Sequence, residues 1–155
     1  MFGAAQEFLA EAKRHAYASQ GDDASVLPLL SGSRQLEYGN GLFFYRDVYF
    51  GVAYFVGQET LYWLEQPHWS MSYAGGVDKA ITLVAQIHSI YAFLRTALRQ
   101  VSPDHIFRGP LTFSRDDFEY STSYEGEFDA FQGVEVIRHR GQIVYTLHYN
   151  GGVLR

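Results

Sequence analysis

The sequence predicts an α+β protein built by tandem duplication, each half a helix followed by a four-stranded antiparallel meander, with the helices packed on one face of the sheet. The first observation is that the chain contains itself twice. Tyr45-Arg46-Asp47-Val48-Tyr49-Phe50-Gly51 returns as Tyr120-Ser121-Thr122-Ser123-Tyr124-Glu125-Gly126. After one inserted residue, Phe55, Gly57, Glu59, Gln66, Tyr73, Gly75, Gly76 and Val77 recur as Phe131, Gly133, Glu135, Gln142, Tyr149, Gly151, Gly152 and Val153. The second is period-two alternation: Trp69, Met71 and Tyr73 alternate with His68, Ser70 and Ser72, as Tyr145, Leu147 and Tyr149 do with Val144, Thr146 and His148. The third is helical spacing at the head of each half, where Phe8-Leu9 resembles Phe93-Leu94. The expected organisation is one compact domain over 1–155, made of repeats at about 1–77 and 78–155.

Taken in order, Ala5, Phe8, Leu9, Ala12 and Ala16 predict an amphipathic helix over about 4–18. Gly, Asp, Ser and Pro between Gln20 and Ser33 predict a loop. Strands are expected near 35–39, 42–50, 52–65 and 67–74, separated by Gly39-Asn40-Gly41, Gly51 and Gln66-Pro67. Asp78 is the expected N-cap of a second helix over about 78–101, with Ile81, Val84, Tyr91, Leu94 and Leu98 as its buried stripe. Ser102-Pro103 stops it. Four further strands follow near 106–113, 118–125, 127–139 and 142–149. Gly75-Gly76 and Gly151-Gly152 read as strand-end turns; the first lacks the Lys-Ser/Thr ending of a phosphate-binding loop.

Composition narrows the functional classes. Twelve Tyr and twelve Phe supply apolar area, and each tyrosine hydroxyl needs a partner. A net charge of −5 with no basic stripe disfavours nucleic-acid binding by this chain alone. The lack of cysteine removes disulfides, thiolate catalysis and cysteine-bound zinc. No apolar run has membrane-spanning length, and Glu7, Glu11, Lys13 and Arg14 interrupt any leader-like segment, so no membrane is expected and the location is expected to be cytoplasmic.

The motifs Tyr45-x-Asp47-x-Tyr49-Phe50-Gly51, Phe55-x-Gly57-x-Glu59, Pro67-x-Trp69-x-Met71-x-Tyr73, Phe93-Leu94-x-x-Ala97-Leu98, Arg108-Gly109-Pro110 and Val144-Tyr145-x-Leu147-x-Tyr149-x-Gly151-Gly152 run over nearly the whole chain. In them the chain resembles the bacterial and archaeal domain of unknown function numbered 5680. That family has no assigned activity. Some members carry the domain behind a helix-turn-helix, which implies an effector-sensing or oligomerising role; these residues have no room for such a part, so the role is analogy alone.

Glu59 and Glu135 are the leading candidates for chemistry, since each shares an apolar face with Phe55 and Leu61, or with Phe131 and Ile137. A carboxylate there must be paired, hydrogen-bonded or protonated, and its presence in both halves favours structure over catalysis. Tyr45, Asp47, Glu59, Trp69 and Tyr73 could form an acidic aromatic box for a cationic or ring-shaped ligand; a close-packed core is the plainer reading. Asp47 and Trp69 have Thr122 and Tyr145 as their counterparts, which makes the first half the better binding half. Arg108 could grip an anion, but pairing with an internal Glu is the expected role. The six histidines form no metal motif, and His88 is read as a core histidine. No catalytic triad or cofactor motif occurs. The expected function is a non-catalytic small-ligand-binding or interaction module. The alternatives are an enzyme using Glu59, Glu135 or Asp47 for acid–base work on a small substrate, and a homodimer formed by edge-strand pairing.

Overall fold

The computed structural model describes residues 2–18 and 25–155, so the part of the expected loop at 19–24 lies outside the described residues. Among the described residues two helices, α1 (Phe2–Ala18) and α2 (Val84–Leu98), accompany nine strands. These are β1 (Ser25–Val26), β2 (Arg34–Asn40), β3 (Phe43–Gly51), β4 (Tyr54–Trp63), β5 (Gln66–Val77), β6 (Thr112–Arg115), β7 (Phe118–Glu127), β8 (Ala130–His139) and β9 (Gln142–Val153). All lie in one antiparallel sheet of order β1-β2-β3-β4-β5-β9-β8-β7-β6. The α+β class and the antiparallel arrangement are as the alternation predicts.

The register assigns the faces. Tyr38 lies opposite Tyr45, Tyr45 opposite Leu61, Leu61 opposite Trp69, Asp47 opposite Glu59 and Glu59 opposite Met71. Across the centre Tyr73 lies opposite Tyr149, and further out Leu147 opposite Glu135 and Glu135 opposite Thr122. Directly opposed residues point to the same side of a sheet, so these side chains share one face. Both helices cover it. Phe8 of α1 stacks on Tyr38 (5.9 Å) and Phe43 (5.2 Å), while Phe93 of α2 packs on Phe113 (5.8 Å) and Phe118 (5.0 Å). Tyr45, Trp69, Tyr120, Tyr145 and Tyr149 are buried between the layers, each contributing roughly 1.5–3 kcal/mol of apolar transfer. The other face, carrying Gln58, Ser72, His148 and Asn150, is largely solvated.

Several boundaries differ from expectation for identifiable reasons. The two-residue β1 pairs with Gln35 and Leu36 but is too short to leave an alternation signal. α2 starts at Val84, because Asp78 spends its carboxylate on the Ala80 N–H in a local turn instead of capping a helix. Residues 106–111 are not strand, and β6 begins only at Thr112. The Gly-Gly pairs lie inside long strands and do not end them. A Cβ on Gly75 would strike the backbone of Thr146 and Leu147, and one on Gly151 that of Ser70 and Met71, so the glycines permit the close β5–β9 seam.

Candidate functional site

Two carboxylates organise the interior, both fully buried. Glu135 on β8 receives Nε and Nη2 of Arg108 at 3.1 and 3.0 Å, the Tyr120 hydroxyl at 2.6 Å and the Tyr145 hydroxyl at 2.8 Å. Such a bidentate, fully bonded arrangement is what a buried charge needs. Glu59 on β4 has Lys13 Nζ 2.7 Å from Oε2, an ion pair between two fully buried side chains. Its Oε1 accepts from the Tyr17 hydroxyl at 3.3 Å and lies 3.9 Å from Arg108 Nη1. Lys13 Nζ also donates to the Phe107 carbonyl at 2.6 Å. The expected burial of both glutamates, and the pairing of Arg108 with an internal Glu, are therefore present.

A third carboxylate adjoins them. Asp47 on β3 lies directly across from Glu59 and accepts a 2.6 Å bond from the Tyr73 hydroxyl, over whose ring Arg108 sits at 5.4 Å. Its pKa is pushed up to about 7: burial is the main cause, the Glu59 charge adds to it, and the Tyr73 bond, Arg108 and Lys13 pull the other way. Burial lowers the pKa of Lys13 against the opposing pull of Glu59. Burial also works against the Arg108 charge, but Glu135 and the neighbouring tyrosines outweigh it and hold the guanidinium above its usual range. Tyr73 is raised by burial and then by Asp47, and Tyr120 and Tyr145 by burial and then by Glu135.

A cavity of about 420 Å³ opens beside Asp47, between α2, the end of α1 and the β2–β3 pair. Asp47, Tyr73 and Arg108 form its inner end, Tyr49, Phe55 and Tyr91 its aromatic walls, and Arg34, His88 and Arg95 are exposed lining residues. That volume suits a small organic ligand. A wider depression of about 810 Å³ at the β2–β3 hairpin, around Gly41 and Phe44, holds none of the buried charges.

Of the six residues singled out for ligand binding, Asp47, Tyr73 and Arg108 meet at this cavity, whereas Tyr45, Glu59 and Trp69 do not line it. Glu59 is sealed behind Lys13 and Tyr17. Trp69 is sandwiched between Phe128 and Phe131 at 5.7 and 5.6 Å and donates Nε1 to the Phe128 carbonyl, so it belongs to the core and no box forms around it. Tyr45 is fully buried, and its hydroxyl has no hydrogen-bond partner among the described residues. His88, expected in the core, is exposed at the cavity. Sequence reasoning missed Lys13, although it falls four residues after Leu9 and three before Ala16, on the apolar stripe of α1. Among the described residues no cluster could hold a metal ion, and no helix is long and apolar enough to cross a membrane.

Fold and site together define an α+β protein whose single sheet carries a buried ion-pair cluster beside a small aromatic cavity. The chain belongs to the family described as domain of unknown function DUF5680, whose model matches residues 47–154. Comparison with curated proteins and with solved structures returned no match.

Proposed function

We propose that this chain is a single domain made of two duplicated halves, about 1–77 and 78–155, and that their divergence at Asp47 created a site for a small ligand. Support for the duplication lies in equivalent contacts made by aligned residues. The stack of Phe8 on Tyr38 and Phe43 has its counterpart in Phe93 on Phe113 and Phe118. The Asp47–Tyr73 bond of 2.6 Å corresponds to a Thr122–Tyr149 bond of 2.7 Å. The register breaks after Leu61 and after Ile137, again at aligned positions. Tyr73 itself pairs with its counterpart Tyr149, so a twofold relation between the halves would pass through the β5–β9 seam.

The observation that carries the functional reading is a charge surplus. Among the described residues, three buried carboxylates, Glu59, Glu135 and Asp47, share two buried cations, Lys13 and Arg108. The unmatched one is Asp47, which stands where the second half has neutral Thr122, and it is the one that lines the cavity. A ring-shaped ligand with a cationic or N–H donor group would balance that charge and pack against Tyr49, Phe55 and Tyr91. The reading is a non-catalytic cytoplasmic binding module. A thermal-shift screen of cationic ring metabolites tests it, since a ligand of the folded state alone raises Tm. Hits should lose their shift in Asp47→Asn; hits that persist unchanged in that variant would place binding elsewhere.

A second reading is acid–base catalysis, favoured by a carboxyl group near pH 7 in contact with a tyrosine. It narrows to Asp47, because Glu59 and Glu135 do not line the cavity. Its mark would be turnover of a bound metabolite that disappears in Asp47→Asn. A homodimer by strand pairing is argued against by the short edges, two residues in β1 and four in β6.

A further inference from the structure

The cavity carries a second, opposite chemistry at the positions farthest from burial. Arg34 at the start of β2 and Arg95 in the last turn of α2 approach the space from its two sides, and both are exposed. Elsewhere most arginines are occupied: Arg14 on the Val101 carbonyl, Arg46 on Glu37, Arg99 on the Tyr17 carbonyl and Arg140 on Asp117. Neither Arg34 nor Arg95 has an ion-pair partner among the described residues. Arg108 is already held by Glu135, so the unpaired positive charge at this cavity comes from Arg34 and Arg95, in a chain of net charge −5. Like charges converging on a cleft repel one another and focus a positive potential there, which an anion relieves. Guanidinium matches the planar oxygens of a carboxylate, and the exposed pair, without an ion-pair partner among the described residues, can provide that match.

We propose that the ligand is an amphoteric ring compound whose donor or cationic end meets Asp47 and whose carboxylate end is held by Arg34 and Arg95. This rests on the binding reading above and gives the ligand a direction. The inner end takes the amine, Tyr49, Phe55 and Tyr91 take the ring, and Arg34 and Arg95 take the acid. A ligand with only one charged group leaves one end of the cavity uncompensated.

Isothermal titration of the intact chain at pH 8 with benzylamine, benzoate and 4-(aminomethyl)benzoate separates the terms. The bifunctional probe is expected to bind at least tenfold more tightly than either single-ended one. Arg34→Gln and Arg95→Gln should each weaken it several-fold while leaving benzylamine unchanged, and Asp47→Asn should weaken it and benzylamine but not benzoate. Both arginines are exposed, so circular-dichroism melts of these variants should match the parent. Equal affinity for benzylamine and the bifunctional probe, or arginine variants that bind as the parent does, would overturn the proposal. In that event Asp47-dependent benzylamine binding would still uphold the simpler reading, whereas no binding of any probe would remove both.

Discussion

At the scale of single residues, Asp47 sets the pH response. An ordinary Asp ionises near 3.8, and this one is pushed up to about 7 in the folded chain. The folded state therefore holds the proton over a window in which the unfolded chain has released it. The associated stability is fully present below about pH 4 and is lost as pH rises through about 7. Asp47→Asn removes that dependence while keeping an oxygen for Tyr73. Urea melts should show the variant as stable as the parent near pH 4, and more stable by a few kcal/mol above pH 7. A parent whose stability rises between pH 4 and 7 relative to the variant would contradict the assignment. Glu59 is a cause of the shift, so Glu59→Gln should lower the Asp47 pKa, readable from its carboxyl carbon by NMR titration. Both expectations concern the same crowding, and the pH-dependent gain of Asp47→Asn without a fall of the Asp47 pKa in Glu59→Gln would show that burial alone holds Asp47 up.

At the scale of elements, α1 docks through charge as well as through Phe8. Lys13→Met leaves Glu59 buried beside only the distant Arg108 Nη1 and a long Tyr17 bond, which should cost about 3–5 kcal/mol. Lys13→Met combined with Glu59→Leu replaces the pair by apolar groups, and chemical denaturation should find most of the loss recovered. The strands make a parallel case. Gly57 and Gly133 lie beneath the Tyr73 and Tyr149 rings, where a Cβ would collide with the phenol. Gly57→Ala and Gly133→Ala should each cost about 1–3 kcal/mol through overpacking. Only Gly57→Ala should also weaken ligand binding, because it alone pushes Tyr73 away from Asp47.

The same elements mark what was legible in the sequence. Apolar neighbours sharing a face with Glu59 and Glu135 pointed to paired or hydrogen-bonded carboxylates, and period-two alternation fixed the faces, because both signals are local. The identity of the partners was not local: Lys13 reaches Glu59 and Phe107 across the fold, so helical spacing could mark it as inward-facing without saying what it meets. Trp69 was misplaced for a related reason. Alternation put it on the inner face correctly, but whether an inward ring meets a cavity or another ring depends on Phe128 and Phe131, which come from the other half of the sheet.

At the scale of the whole molecule, the residues before and after position 77, the two halves proposed above, are joined by more than adjacency. The β5–β9 pairing runs from Trp69 opposite Val153 to Val77 opposite Tyr145. Through the core, Lys13 donates to Phe107, Arg108 approaches Glu59 and covers Tyr73, and Trp69 donates to Phe128. Every one of these contacts crosses the boundary near residue 77. A fragment of residues 1–77 would expose the β5 edge and leave Lys13, Glu59 and Asp47 facing water on a half-covered sheet. A fragment of 78–155 would expose β9 and lose the α1 contacts to Phe107 and Val101. Neither core is large enough to stand alone at such a size with a missing seam. Each fragment should thus be largely unfolded by circular dichroism, and an equimolar mixture should regain helical and strand signal with a cooperative melt. Cutting the chain makes docking of the fragments bimolecular, so that melt is concentration-dependent. A stably folded, monomeric 1–77 would show instead that the buried charge cluster does not hold the halves together.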